Sequence, residues 1–436
     1  GKKMKFSFGS KDQIEQNLTI TVADKSVEDR VQSELNSAMK SSKIKGFRKG
    51  KAPMEVVKKM YEPEIRQDVI NDLVTKEFYK LVEKNDLKPV GRPNLTPEKI
   101  DKGKDIVFKA SFEVYPEIKV SNLKRLNYKK TICSITDADV DKTVETIRKR
   151  TCSWEIKDGP SEEGDQVKID FIGKINGEEF EGGNAKDFIV EIGSKSMIEG
   201  FEDGLVGLTK EEKTVLALNF PKDYGKTDLA SKEVEFEIEV KEILKAKLPD
   251  LNEDLFKSTG IEVKTLQDFK KEIKVKLNED LDNLIKNKSK NSLFDSLVES
   301  NPFKVPSAMI DSEVENLRIN AARRVGMDPK DLKEDLFPRE SFLDEAEKRV
   351  GIGILLNKII EDKELKADSD RVKKIIKERA SMFKEPDQVV NWYYSNEEQL
   401  KSVESIALEE QVIDILMLEA TPQEEELTYE ECVNNI

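Results

Sequence analysis

Histidine is absent from this chain of 436 residues. Its absence excludes nucleophilic sites that rely on a histidine base and zinc sites that rely on an imidazole ligand. No glycine-rich phosphate loop of the GxGxxG or GxxxxGK[ST] type occurs in the sequence either. We therefore expect any reaction at this protein to proceed without a proton relay, a metal or a nucleotide, and we expect no cofactor.

Cysteine and long apolar runs are scarce. The three cysteines, Cys133, Cys152 and Cys432, show no CxxC spacing, which favours reduced structural thiols in a cytoplasmic protein. No apolar run approaches the roughly 20 residues that cross a bilayer. The opening GKKMKFSFGS lacks the apolar core of a signal peptide, so we expect none, and Met4 is a candidate native start.

Charge is abundant, since 37 % of the residues are charged and the net charge is −14. A chain of this length is expected to form about two to four domains. The high charge with modest glycine and proline favours long, solvated helices. No low-complexity tract is present, so we do not predict disorder.

One segment departs from this acidic balance. Between Lys40 and Lys51 there are six lysines and arginines and no acidic residue, and Gly46 and Gly50 bracket Phe47-Arg48-Lys49. A solvated loop that balances nearby acids is the simplest interpretation, but a phenylalanine in its middle argues against it. Cations bind phosphates without reading sequence, and an aromatic side chain anchors in a protein crevice. The segment alone leaves RNA binding and partner docking both open.

The first part of the chain predicts a small α+β domain. Residues 16–23 and 104–115 alternate like strands. Between them we predict a helix that Ser26 and Asp29 cap, a helix that opens at Pro53, and a further amphipathic helix. The predicted buried stripes are Val27, Val31, Leu35 and Met39 in the first helix, and Ile65, Val69, Leu73 and Leu81 in the last.

The centre of the chain changes character. A connector begins extended and ends in a helix that is capped near Thr136. Residues 158–243 then read as short strands, and Asn176-Gly177 is the strongest short signal for a hairpin.

From about residue 248 onward the sequence is helical and highly charged. A long helix is predicted over 264–299, with further helices near 307–325, 339–363, 369–384 and 396–420, and a loosely held acidic tail. Apolar residues at helical spacing are usually core, as we expect for Leu266, Phe269, Ile273, Leu277, Leu281, Leu284 and Ile285. Apolar side chains that remain exposed would form scattered patches suited to many partners.

Aromatic residues concentrate in the strand-rich window, and their spacing alone favours a core. Their order, however, resembles the FKBP-type peptidyl-prolyl isomerase domain in the runs VKIDFIGKINGEEFEG, FIVEIGSKSMIEGFEDGLVGL, FPKDYG and VEFEIEVKEI. The resemblance implies a proline pocket lined by Phe171, Phe180, Glu181, Phe188, Met197, Ile198, Phe201, Tyr224 and Phe236. Such a pocket requires no histidine, because it acts on the twisted amide without a covalent step or a general base.

This sequence differs from the commonest FKBP pattern. Glu181 stands where single-domain members usually have aspartate, and Phe201 stands where they have tryptophan. The histidine that some members place after the tyrosine is missing as well. These differences argue against macrolide binding but leave the proline pocket in place.

The whole chain resembles bacterial trigger factors. GFRKGKAP lies between two helices of a small α+β domain, ahead of an FKBP-type insert and a helical region that contains VPSAMIDSEV, LKADSDRV and IALEEQ. The resemblance implies that Gly46, Phe47, Arg48, Lys49, Gly50 and Lys51 dock on ribosomal protein and rRNA phosphates near the tunnel exit of the large subunit. It also implies that the helical region cradles unfolded or nascent polypeptides, and that the free form dimerises weakly. We expect no membrane and no DNA partner.

These inferences define a multidomain α+β protein. We predict a ribosome-binding α+β domain over 1–116, a connector over 117–152 that packs with the C-terminal domain, an FKBP-like β-rich isomerase domain over 153–245, and an elongated all-α chaperone domain over 246–436. The predicted function is a ribosome-associated, cytoplasmic chaperone that also isomerises X-Pro bonds. The alternatives are an isomerase and holdase that acts mainly off the ribosome and, more distantly, an RNA-binding protein, which the acidic net charge disfavours.

Overall fold

The computed structural model describes residues 14–434. The expectation of no signal peptide and of a start at Met4 rests on the opening ten residues. These residues lie outside the described part of the chain, as do residues 435–436. The strands are β1 (Glu15–Val22), β2 (Pro89–Lys99), β3 (Ile106–Val114), β4 (Asn127–Ile132), β5 (Ser153–Ile156), β6 (Gln166–Ile175), β7 (Glu178–Glu191), β8 (Lys213–Asn219), β9 (Glu233–Lys247) and β10 (Thr421–Glu426). The helices are α1 (Asp24–Ser41), α2 (Met54–Lys84), α3 (Asp137–Arg150), α4 (Glu253–Ser258), α5 (Leu266–Ser300), α6 (Ser307–Arg324), α7 (Leu343–Asp362), α8 (Ser369–Ala380), α9 (Pro386–Ser395), α10 (Glu397–Glu419) and α11 (Tyr429–Asn434).

The chain forms two compact units, and neither is continuous in sequence. One combines the residues up to Lys130 with 287–425, and the other combines Thr131–Lys286 with the residues from Glu426 onward. This division groups the chain differently from the four predicted segments, whose boundaries stay predictions. Within residues 14–434, no helix is both long and apolar enough to cross a membrane.

The first unit contains the predicted α+β layer. Strands β1, β3 and β2 form an antiparallel sheet in that order, and Leu18 and Ile20 of β1 lie opposite Ala110 and Phe108 of β3. Their buried side chains share one core with α1 and α2. The predicted stripe of α1 is confirmed, because Val27, Val31 and Leu35 are buried and Met39 packs against the same core.

Three details of this layer differ from the prediction. The cap by Ser26 and Asp29 is wrong, since α1 begins at Asp24 after Ala23. The two helices predicted between residues 53 and 84 are one helix that continues through Pro63. Strand β2 was not predicted, because its prolines disfavour strand structure, but it lies at the sheet edge where proline is tolerated.

The second unit contains a five-stranded antiparallel sheet. Strand β9 is its centre and pairs with β5, β6 and β8, while β7 extends the sheet beyond β6. The predicted hairpin joins β6 and β7: Asn176 and Gly177 have φ angles of +55° and +79°, and Ile175 lies opposite Glu178. Two consecutive residues with positive φ are the mark of a type I′ turn, so the hairpin is confirmed.

The connector helix packs on the long helix in the same unit. The predicted capping box of α3 is present, with the Thr136 and Asp139 side chains each bonded to the other's backbone N–H. Val140 and Val144 of α3 share a core with α5. The predicted stripe of α5 is confirmed: Phe269, Ile273, Leu277 and Leu281 are buried, and Leu266, Leu284 and Ile285 pack against them.

The acidic tail is not loosely held, contrary to the prediction. Strand β10 pairs with β4, and α11 buries Cys432 in the core that α3 and α5 form. Burial raises the pKa of the neighbouring Cys133 thiol to about 11, and its hydrogen bond with Cys432 acts in the same direction. The partner strand of β10 is almost 300 residues earlier in the sequence, so no local pattern in the tail could predict this pairing.

Candidate functional site

The basic segment between α1 and α2 folds as two successive β-turns. The Phe47 N–H donates to the Ile44 carbonyl at 3.0 Å, and the Lys51 N–H donates to the Arg48 carbonyl at 2.9 Å. Gly46 and Gly50 each occupy the third position of a turn, with φ angles of +93° and +75°. Both turns therefore require a residue that tolerates positive φ, which glycine does at little cost.

The double turn is anchored at both ends and exposed at its tip. Ile44 and Ala52 are buried in the core of the α+β layer. Phe47, between them, exposes 43 % of its surface. An aromatic side chain at the apex of a turn with fixed ends is well placed to enter a partner.

The cations of the double turn are exposed. None of Lys43, Lys45, Arg48, Lys49 or Lys51 forms an ion pair within 4.0 Å with a described carboxylate, whereas many cations elsewhere in 14–434 do. Their charge is thus free to attract an anionic surface. The interpretation as a loop that balances nearby acids does not fit this arrangement.

Four of the predicted pocket phenylalanines form one aromatic cluster on the inner face of the five-stranded sheet. The Phe171 ring meets those of Phe188, Phe201 and Phe236 edge to face at 5.5, 5.8 and 5.8 Å, and Phe201 meets Phe236 at 5.2 Å. Phe171, Phe201 and Phe236 are buried, while Phe188 is 38 % exposed. The cluster therefore has a fixed base and one accessible ring.

A second aromatic group carries the tyrosine. Phe220 lies between Phe180 and Tyr224, with centroid distances of 6.0 and 4.7 Å. Phe180, Met197, Ile198 and Tyr224 are partly buried and pack against the same core as the first cluster. Glu181 is exposed and follows Phe180 in the chain. The structure thus brings seven of the nine predicted side chains to one core. Phe188 contacts this core through Phe171 but is exposed, and Glu181 lies at the surface.

Two glycines give the aromatic rings their space. A Cβ atom at Gly173 would lie 2.9 Å from the rings of both Phe180 and Phe236, and one at Gly183 would lie 2.8 Å from the Phe180 ring. A larger residue at either position would collide with these rings. Glycine therefore lets the Phe180 and Phe236 rings pack directly on the backbone.

Sequence reasoning missed two residues of this region. Phe220, the first residue of the run FPKDYG, is not among the predicted pocket residues. Glu202 received no role, although its carboxylate is buried and accepts hydrogen bonds from the segment that carries Met197 and Ile198. Burial is the largest influence on the pKa of Glu202 and raises it, but the hydrogen bonds together outweigh burial and hold that pKa below its usual value.

This arrangement presents aromatic surface suited to a small apolar ring, and it offers one hydroxyl group, that of Tyr224. Rotation about a peptide C–N bond faces a barrier of about 18–20 kcal/mol, because amide resonance holds the bond planar. Water favours the planar, polar form, whereas an aromatic wall that excludes water removes that advantage from the ground state. An X-Pro amide is the natural substrate, since it alone populates both isomers.

Comparison with known proteins gives three family models in chain order. The bacterial trigger factor protein model matches residues 4–147, the FKBP-type peptidyl-prolyl cis-trans isomerase model matches residues 157–241, and the bacterial trigger factor C-terminus model matches residues 265–417. The predicted α+β, FKBP-like and helical parts are thereby confirmed.

Curated relatives align with the chain from end to end. It is 40 % identical to a trigger factor of Pseudomonas aeruginosa (strain LESB58) over 430 residues, which are 99 % of this chain and 98 % of the relative. Similar values hold for trigger factors of Pseudomonas fluorescens (39 % over 433 residues, 99 % of each chain) and Stutzerimonas stutzeri (40 % over 430 residues, 99 % and 98 %). The chain therefore belongs to the bacterial trigger factor family, and it is a ribosome-associated chaperone with an FKBP-type peptidyl-prolyl isomerase domain.

Proposed function

We propose that the double turn is the ribosome-docking site, through Gly46, Phe47, Arg48, Lys49, Gly50 and Lys51, and that it binds the large subunit beside the tunnel exit. The observation that carries this proposal is the exposed Phe47 among cations that form no ion pair with any carboxylate in residues 14–434. Arg48, Lys49 and Lys51 bind rRNA phosphates, which supply affinity without sequence specificity. Phe47 anchors in a crevice of a ribosomal protein.

The acidic remainder of the chain supports this assignment. A net charge of −14 repels nucleic acid in general, which limits indiscriminate binding to RNA, while the double turn carries the positive charge for docking. The same argument leaves DNA outside the range of partners. We place this activity in the cytoplasm, where nascent chains leave the ribosome.

Co-sedimentation with purified bacterial ribosomes tests the docking site. We expect the triple variant Phe47→Ala, Arg48→Ala, Lys49→Ala to lose at least about 100-fold in affinity, because it removes an anchor and two phosphate contacts. Lys58→Ala, Lys59→Ala, Met60→Ala is the matched control, since it removes two exposed cations and one exposed apolar side chain from the adjacent helix α2. Undiminished binding by the triple alanine would refute the docking site, and absence of binding by the wild type would favour an isomerase that acts off the ribosome.

We infer that the isomerase site is formed by Phe171, Phe180, Glu181, Phe188, Met197, Ile198, Phe201, Tyr224 and Phe236. The buried rings of Phe171, Phe201 and Phe236 form the base against which the proline ring packs. Tyr224, fixed against Phe220, donates a hydrogen bond to a substrate carbonyl and orients the amide. Glu181 lies at the rim. The pocket holds the twisted amide better than the planar one, and no covalent bond forms.

We propose further that the helical part of the first unit holds unfolded chains through scattered apolar side chains. Met382, Phe383, Trp392 and Leu418 expose between 49 and 89 % of their surfaces on or beside α8, α9 and α10.

A cavity of about 450 Å³ between the end of α5 and α7 adds a second apolar surface. Its lining includes Val298, Phe303 and Val305 together with several acidic residues. Weak contacts spread over several such patches suit clients of many sequences. A weak homodimer of the free protein would cover part of this surface.

A further inference from the structure

We propose that Glu202 is a positioning residue of the isomerase pocket: its carboxylate holds the loop over residues 193–198 in the shape that places Met197 and Ile198 at the pocket wall. The inference rests on the proposed proline pocket. It concerns a side chain that itself lies behind the wall, since Glu202 is only 8 % exposed.

The carboxylate of Glu202 collects four donors from one short loop. Its Oε1 atom accepts from the Gly193 N–H at 3.0 Å, the Ser194 hydroxyl at 3.0 Å and the Lys195 N–H at 3.1 Å. Its Oε2 atom accepts from the Met197 N–H at 3.1 Å. Three backbone N–H groups that converge on one point form a concave anion site of the kind that turns with alternating φ sign create.

The loop needs such an anchor because its backbone is otherwise unfavourable. Gly193 and Lys195 have φ angles of +95° and +57°, and positive φ is sterically unfavourable for a residue other than glycine, here Lys195. Within the described part of the chain, no lysine or arginine lies within 4.0 Å of the Glu202 carboxylate. The backbone N–H groups of the loop therefore stabilise the negative charge of Glu202, and these hydrogen bonds hold the loop backbone in place.

The anchor is coupled directly to the pocket. Glu202 follows Phe201, whose buried ring contacts Phe171 and Phe236. The Phe201 N–H also donates to the Ile198 carbonyl at 3.1 Å. The wall and the anchor thus belong to one loop, whereas Phe171 and Phe236 of the base lie on strands β6 and β9. A change at the carboxylate should therefore displace Met197 and Ile198 while the base stays in place.

The variant Glu202→Gln tests this role, because it keeps the size of the side chain and removes the charge and one acceptor. We expect kcat/KM for an X-Pro peptide to fall about tenfold, mainly through a higher KM, since small displacements of binding groups produce changes of this size. Amide hydrogen exchange in the segment 193–197 of the full chain should accelerate. Glu199→Gln, the same change at an exposed position of the same loop, should alter neither quantity.

The milder variant Ser194→Ala removes a single donor and covers the case in which Glu202→Gln does not fold. It should lower kcat/KM about two- to threefold with an unchanged melting temperature. Unchanged kcat/KM and unchanged exchange in a folded Glu202→Gln, or no effect of Ser194→Ala, would overturn the proposal. The variant Phe236→Leu separates this outcome from failure of the pocket itself. If Phe236→Leu also leaves kcat/KM unchanged, the assignment of the pocket is wrong. If Phe236→Leu lowers kcat/KM and the Glu202 and Ser194 variants do not, only the role of Glu202 is wrong.

Discussion

The double turn and the aromatic pocket use phenylalanine in opposite ways. At the turn, Phe47 is exposed, and the cations around it form no ion pair within the described part of the chain. In the proposed pocket, Phe171, Phe201 and Phe236 are buried and pack edge to face on one another. The first arrangement suits attachment to a large charged surface, where the partner completes the site. The second suits catalysis, which requires a shape that exists before the substrate arrives.

The strongest test of the difference between the turn and the pocket replaces one aromatic ring of the pocket with an aliphatic side chain of similar volume. Phe236→Leu should lower kcat/KM for an X-Pro peptide about tenfold or more, because the aromatic base is preorganised for the twisted amide. Its stability cost should remain well below the about 3–5 kcal/mol of a truncation to alanine. A protease-free isomerisation assay and urea unfolding measure the two effects.

Phe256→Leu is the matched control, because Phe256 is also buried and stacks on Phe269 outside the pocket. It should lose similar stability and keep full isomerase activity. Equal activity losses in the two variants would mean that the pocket ring acts only through stability.

Ribosome affinity should fall less when the backbone of the double turn is strained than when its side chains are removed. At Gly46, φ is +93° and a Cβ atom would have no neighbour within 4 Å, so Gly46→Ala acts on the backbone alone. We expect ribosome affinity to fall several-fold, with a stability loss of about 1–2 kcal/mol. Co-sedimentation and urea unfolding measure both quantities.

Gly103 provides the control for that strain, since it has a φ of +82° and equally open space in another turn of the same layer. Gly103→Ala should lose comparable stability and keep its ribosome affinity. If it loses affinity to the same degree, the shape of the basic turn is not what the ribosome reads.

The smallest expected effect is on acid stability. Because hydrogen bonds hold the pKa of Glu202 below its ordinary value of 4.5, its ionised form stabilises the fold above that pH, and this contribution disappears as the pH falls through the lowered pKa. The free energies of unfolding of the wild type and Glu202→Gln should therefore converge as the pH falls below 4.5. If the difference between the two free energies of unfolding stayed constant at acidic pH, this role of Glu202 would be contradicted.

Much of this molecule could be predicted where a pattern is local. Alternation predicted β1 and β3, the Asn176-Gly177 pair predicted the hairpin, and Thr136 with Asp139 predicted the start of α3. The order of aromatic residues, through its resemblance to the FKBP pattern, predicted a set of side chains, and Phe171, Phe201 and Phe236 of that set pack together.

The missed features depend on partners that are distant in sequence or on competing local signals. Strand β10 requires β4, and α2 continues through Pro63 because its buried residues on both sides of the proline hold it in the core. Glu202 resembles any acidic residue in a glycine-rich loop, and only the folded loop turns its backbone N–H groups toward the carboxylate. An acidic residue directly after a pocket aromatic is the one signal that could have identified it.

The central claim is that attachment and isomerisation are separate functions of separate sites. The most direct test measures ribosome co-sedimentation and peptide isomerisation on the same four proteins: the wild type, the Phe47-Arg48-Lys49 triple alanine, Phe236→Leu and their combination. We predict that the triple alanine loses only ribosome binding, Phe236→Leu loses only isomerisation, and the combination loses both. Loss of both activities in either parent variant would contradict the account.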